Sequence, residues 1–135
     1  MPDVKKIEPG LSIVKHFQVE LTSTARHLGS GGVDVLATPE LVRMMEETAL
    51  MAVAPLLPEG STTVGVRVDI THLAPTPVGF GVDVEAKLVE VKGRQLIFDI
   101  VAMDDTEEIG RAKHDRAIID VERFLARIDA KRQTK

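Results

Sequence analysis

Residues 64–79 read Val-Gly-Val-Arg-Val-Asp-Ile-Thr-His-Leu-Ala-Pro-Thr-Pro-Val-Gly. Val64, Val66, Val68 and Ile70 alternate with Gly65, Arg67, Asp69 and Thr71, the period of two that marks a half-buried strand. His72 falls in phase with the apolar set. The strand is therefore expected to deliver an imidazole to its buried face, where it needs a hydrogen-bond partner. Pro75 and Pro77 lack the N–H that a sheet ladder requires, so pairing is expected to end just past His72. The plainer use of such a residue is a core histidine bonded to a carbonyl.

Upstream, residues 38–54 carry strong helix-start chemistry. Thr38 suits the N-cap, Pro39 the first helical position and Glu40 the positive end of the dipole; Pro55 ends the run. On a helical wheel Arg43, Glu46 and Glu47 share one side, but Leu50 and Ala54 fall among them. The second half is thus apolar all round and is expected to be wrapped by other structure. Glu47 is placed to pair with Arg43, and Glu46 to compete for the same guanidinium. Val42, Ala49, Leu50 and Val53 surround Glu46 at helical spacing. Of the two glutamates it is the better candidate for a desolvated carboxylate, the kind that serves as a base near neutral pH. The plainer alternative is a solvated glutamate on an amphipathic turn.

Composition frames these two elements. The chain has 135 residues and no cysteine, with a net charge of -4. One domain with a single core is the simplest reading. Disulfides, thiolate metal sites and a cysteine nucleophile are excluded, which suits a reducing, cytoplasmic setting. Neither the charge nor any basic stripe with interleaved aromatics points to nucleic acid. The N-terminus lacks the apolar region of a signal peptide, and the longest apolar stretch, residues 49–57, falls far short of the ~20 residues that span a bilayer.

Working outward, residues 12–20 read as a first strand, and residues 21–35, with Ser30-Gly31-Gly32, as a flexible approach to the helix. In residues 81–91, Val82, Val84, Ala86 and Leu88 alternate before the phase slips at Val89 and Val91, which predicts a bulge. Lys92-Gly93 predicts a hairpin into residues 95–103. A turn at residues 104–107 leads to a strand from about 109 to 121. Residues 122–135 are expected to form a short amphipathic helix with Phe124, Leu125 and Ile128 inward, then a basic tail. The order predicts an α+β fold in which a curved antiparallel sheet wraps one long central helix. His72 would then approach Glu46 from the sheet.

The Thr38 to Glu46 helix, Gly65, the run from His72 to Gly79 and the strand Lys113-His-Asp-Arg-Ala-Ile-Ile119 resemble the hot-dog-fold acyl-CoA thioesterases, in particular the fluoroacetyl-CoA thioesterase-like branch. The similarity runs from about residue 10 to 127, with short tails on either side. It implies hydrolysis of a short acyl-CoA to the free acid and CoA, without a metal or redox cofactor. It also implies a homodimer with active sites at the subunit interface. Position by position, Thr38, Glu46 and His72 match the branch's catalytic residues, and Gly65 and Arg116 match residues lining its acyl pocket.

Chemistry fits these roles unevenly. Glu46 can act as a general base on water or attack the thioester itself to form a mixed anhydride, and His72 can protonate the leaving thiolate or orient the attacking group. Gly65 lets the backbone approach an acyl group, although a simple strand glycine reads the same way. Arg116 can anchor a polar acyl end, or pair with a surface acid. His114, on the same strand face, has no assigned role. Thr38 and Glu46 lie eight residues apart on one helix, about 12 Å along its axis at ~1.5 Å per residue. A direct contact within one subunit is therefore not expected: either Thr38 sits off the helix axis or the site combines residues from two subunits, and the separation favours the second. The branch's phenylalanine-rich lid is missing: residues 29–36 read Gly-Ser-Gly-Gly-Val-Asp-Val-Leu, and the four phenylalanines lie elsewhere. Strong fluoroacetyl selectivity is therefore not expected. Two other classes compete. One is a non-catalytic acyl-CoA-binding domain, against which the Glu46 and His72 pair speaks. The other is an enoyl-CoA hydratase or dehydratase, for which the expected Asp-x-x-x-x-His arrangement is lacking.

Overall fold

A computed structural model describes residues 6–134. Five antiparallel strands form one sheet in the order β1-β3-β4-β5-β2. They are β1 (Ser12–Gln18), β2 (Ser61–His72), β3 (Gly81–Lys92), β4 (Gln95–Asp104) and β5 (Glu108–Asp120). Between β3 and β4, Gly93 takes the positive φ of 58° that a two-residue turn needs and glycine supplies without strain. The long helix α2 (Thr38–Val53) packs against the sheet.

Leu41, Met44, Met45, Thr48, Ala49, Ala52 and Val53 of α2 are buried, a continuous stripe at the 3.6-residue period. Thr48 satisfies its hydroxyl by donating to the Met44 carbonyl at 2.7 Å. Opposite the stripe lie Val82, Val84, Ala86 and Leu88 of β3 and Leu96, Phe98, Ile100 and Ala102 of β4, all fully buried. Each valine, leucine, isoleucine or phenylalanine among them contributes about 1.5–3 kcal/mol of apolar transfer. The expected slip in β3 is a register shift between Leu88 and Glu90. The helix is not covered all round within the chain, since Met51 is 44% exposed.

The sharpest departure from the simple alternation lies in β2. Its register against β5 shifts between Gly65 and Arg67, leaving Val66 as an extra residue that is 63% exposed. Partners across an antiparallel ladder share a face. Thr63, Gly65, Val68, Ile70 and His72 pair with Ile118, Arg116, His114, Ala112 and Gly110, so these, and not Val64 and Val66, face the helix.

Residues 21–35 are more ordered than their composition suggests. They form a 3-10 turn (Leu21–Ser23) and the short helix α1 (Ala25–Leu28), capped by the Thr24 hydroxyl and closed by Gly29 at a φ of 76°. At the end of the chain, α3 (Val121–Gln133) is capped by Asp120, which accepts from the Arg123 N–H at 2.9 Å. Phe124 and Ile128 are half-buried, as expected, but Leu125 is 53% exposed. Among the described residues no helix is long and apolar enough to cross a membrane.

Candidate active site

The sequence-selected residues gather into two clusters at different levels of α2. The first lies at the helix N-terminus. Thr38 is not the N-cap: Ala37 holds that position, and its carbonyl accepts from Leu41. As the first helical residue, Thr38 instead turns its hydroxyl to Nδ1 of His72, 2.8 Å away. The β2 strand and α2 are thus tied at the point where the two prolines end pairing. Nε2 of His72 is buried with no protein partner among the described residues. Burial lowers the pKa of His72, with the Ala74 backbone offsetting part of the effect, so the ring is neutral at neutral pH.

A pocket of about 330 Å³ opens beside this pair, walled by Ala25, Val35, Leu36, Leu73, Ala74 and Pro75. Two loops build the wall. The Leu36 N–H donates to the Thr76 carbonyl at 2.8 Å, and Val35 bridges Pro77. Thr76, fully buried, then donates from its hydroxyl to Asp104 at 2.9 Å. A larger hollow of about 500 Å³, lined by Asp69, Glu85, Arg111 and Lys113, contains none of the candidate residues.

The second cluster surrounds Glu46, two turns further along α2. A Cβ built on Gly65 would meet Glu46 Oε2 at 2.5 Å, Arg116 Nη1 at 3.5 Å and His114 Cε1 at 3.5 Å. Only glycine leaves room for this convergence of helix and sheet. Arg116 is 5% exposed and donates to Thr63 through Nε (Oγ1, 2.8 Å) and Nη2 (carbonyl, 3.0 Å). Its Nη1 lies 3.0 Å from Nε2 of His114 and 3.6 Å from Oε2 of Glu46. Burial lowers the pKa of the guanidinium, with Glu46 opposing the shift; it remains cationic.

Two expectations about Glu46 need correction. It does not compete for Arg43, which pairs with Glu40 and Glu47 while Lys15 also reaches Glu47. Nor does this chain alone desolvate it, because its side chain is 41% exposed. His114, left without a role by the sequence, belongs to the cluster. It was visible there only as the strand neighbour two residues from Arg116 on the same face.

The antiparallel sheet wrapped on one long helix is the hot-dog fold. It is shared with a hot-dog-like protein from Thermanaerovibrio acidaminovorans at a TM-score of 0.85, with 20% identity over 91% of each chain. Residues 19–122 match the FlK family of fluoroacetyl-CoA-specific thioesterases. The fluoroacetyl-CoA thioesterase of Streptantibioticus cattleyicolor is 40% identical over 121 residues, 85% of this chain and 87% of its own. A solved structure of the fluoroacetyl-CoA thioesterase FlK superposes with a TM-score of 0.89 at 34% identity, covering 94% of this chain and 98% of that one. The chain belongs to the FlK family, and its class is thioester hydrolase.

Proposed function

We propose that this single-domain chain hydrolyses a short acyl-CoA to a free carboxylate and CoA in a homodimer, with Thr38 and His72 of one subunit facing Glu46, Gly65 and Arg116 of the other. The observation that carries the reading is the division of the site. Thr38 already bonds His72, Glu46 already sits against Gly65 and Arg116, and about 12 Å of helix separates the halves. A second copy supplies the missing half to each. The free edge of the sheet supports this arrangement: β2 is an outermost strand of 12 residues carrying exposed Val66 and Gly65 beside half-exposed Glu46. Edges of that length are normally covered. The lack of cysteine suits a cytoplasmic setting.

In this reading Glu46 accepts a proton from water as the water oxygen attacks the thioester carbon, or attacks that carbon itself, giving an anhydride that water then opens. The carbon–sulfur bond breaks and the thiolate leaves. When the Thr38 hydroxyl donates to Nδ1, neutral His72 carries its proton on Nε2, the atom without a partner among the described residues, and can hydrogen-bond the departing sulfur, which takes up the proton that Glu46 drew from water. Arg116 and Gly65 form the acyl end of the pocket. The segment before α2 contributes no aromatic ring, so fluoroacetyl-CoA is not set apart from other small acyl groups.

Thiol release from acetyl-, fluoroacetyl-, butyryl- and phenylacetyl-CoA, run beside Glu46→Gln and His72→Ala, tests the proposal. Removing an acid or base of this kind lowers turnover about 10²–10⁴-fold. Normal turnover in Glu46→Gln would sink the assignment. Tight binding of acyl-CoA with no turnover in the wild type would replace it with a binding domain.

A further inference from the structure

Arg116 has five N–H donors, and three are committed: Nε to the Thr63 hydroxyl, one on Nη2 to the Thr63 carbonyl, and one on Nη1 to Nε2 of His114. The same Nη1 stands 3.6 Å from Oε2 of Glu46, past hydrogen-bond length. A buried guanidinium beside a carboxylate ordinarily closes on it at about 2.8 Å, often through two parallel bonds. Here it does not close. Because Nη1–H donates, Nε2 of His114 must hold a lone pair, so the neutral ring carries its proton on Nδ1. That proton goes to the Arg67 carbonyl, 2.8 Å away in the β2 bulge. His114 is fully buried, and its ring lies 6.5 Å from that of Phe98. Both nitrogens are thereby spoken for.

We propose that His114 is a positioning residue that holds Arg116 off Glu46, leaving the carboxylate free to react while the cation stays in the acyl pocket. This rests on Glu46 being the reacting carboxylate. The charged groups around the histidine are Arg116 and Asp115 on its own strand and Glu46 on α2. From β2 come Thr63, Gly65, the Arg67 carbonyl and the apolar Val68, the ladder partner of His114. Without the acceptor at Nε2, Nη1 regains a donor whose nearest anionic partner is Glu46.

Two polar substitutions separate the two ring nitrogens. His114→Asn keeps a donor where Nδ1 stood but loses the acceptor at Nε2; His114→Gln places an amide oxygen near the Nε2 position. Crystal structures and kcat of both variants, compared at matched melting temperature, test the proposal. In His114→Asn the Nη1 to Oε2 separation is expected to close to hydrogen-bond length, about 3 Å, with kcat down roughly tenfold. His114→Gln is expected to keep the open separation and to restore kcat to within about threefold of wild type. An Asn variant with the open separation and wild-type kcat would overturn the proposal, as would a Gln variant that loses as much as Asn. The distances judge His114 without reference to turnover. If Glu46→Gln hydrolysed normally, the catalytic assignment would fall while the positioning result still stood.

Discussion

A methyl group on Gly65 would lie 2.5 Å from Oε2 of Glu46. Helix α2 and the sheet therefore meet at a point where one partner has no side chain and the other ends in a carboxylate. Gly65→Ala must displace that carboxylate, the mobile end of a flexible side chain, so the fold gives way cheaply and the geometry does not. We expect kcat to fall about 10–100-fold, with the melting temperature within about 4 °C of wild type. Unchanged kcat would show that Glu46 need not rest against the sheet.

Thr38 bonds His72 and caps nothing. Thr38→Ala is therefore expected to cost less than the ~1 kcal/mol typical of a lost N-cap while lowering turnover, and Thr38→Ser is expected to retain most activity. Urea unfolding beside steady-state kinetics separates the two effects. A stability loss of cap size with turnover intact would return Thr38 to a structural role.

What the sequence conveyed, and what it withheld, follows from the range of the interactions involved. The helix from Thr38 to Val53, the bulge at Val89 and the hairpin at Gly93 are local patterns of capping, period or turn chemistry, and all were legible. The β2 bulge was not, because Val64 and Val66 continue a valid alternation; only pairing with Arg116 and His114 across the sheet fixes the slip. Thr38 has the chemistry of a cap, and nothing local shows that His72 claims its hydroxyl. Glu46 read as the better candidate for desolvation because its helical neighbours are apolar, with a solvated turn as the alternative; its side chain is 41% exposed. His114 and Thr63 acquire meaning only through Arg116, from 2 and 53 residues away.

Buried His114 and half-buried His72 both titrate against folding. Burial lowers the pKa of His114, with Arg116 adding to the effect, and burial also lowers that of His72. Below the unfolded value of about 6.5 the unfolded chain takes up protons that the native state refuses. Stability is then lost as pH falls from about 6.5 towards the folded pKa values, by up to ~1.4 kcal/mol per unit for each group. His114→Gln should flatten the fall between about pH 7 and 5. Denaturant unfolding at several pH values gives the slopes, and parallel curves for wild type and variant would contradict the burial of a neutral His114.

If each site takes His72 from one subunit and Glu46 from the other, two inactive proteins can repair one another. Mixing and refolding Glu46→Gln with His72→Ala creates hybrids with one intact site and one doubly defective site. Activity should reappear on mixing, approaching about a quarter of wild type for random re-pairing in a two-fold dimer. Persistent inactivity in a mixture shown to form hybrids would place the whole site within one chain.

The segment before α2 is walled by Val35 and Leu36 and carries no phenylalanine. We expect kcat/KM for fluoroacetyl-CoA to lie within about tenfold of that for acetyl-CoA, since small apolar walls discriminate poorly between near-isosteres. A preference of several thousandfold would mean that selectivity is built elsewhere in this chain, with Arg116 the first residue to examine.

The extra residue at Val66 behaves like a frameshift written into a strand. Alternation has a period of two, so one supernumerary residue inverts which side chains look inward on one side of the insertion and leaves the other side alone. The end of β2 that carries His72 and the end that carries Gly65 and Thr63 are thereby uncoupled in phase. The space beside Gly65 and Arg116 can be resized by substitution before the bulge without turning His72. Deleting that one residue would regularise the ladder without turning either half, because Gly65, Arg67 and Val68 already pair with Arg116, Asp115 and His114 in unbroken succession.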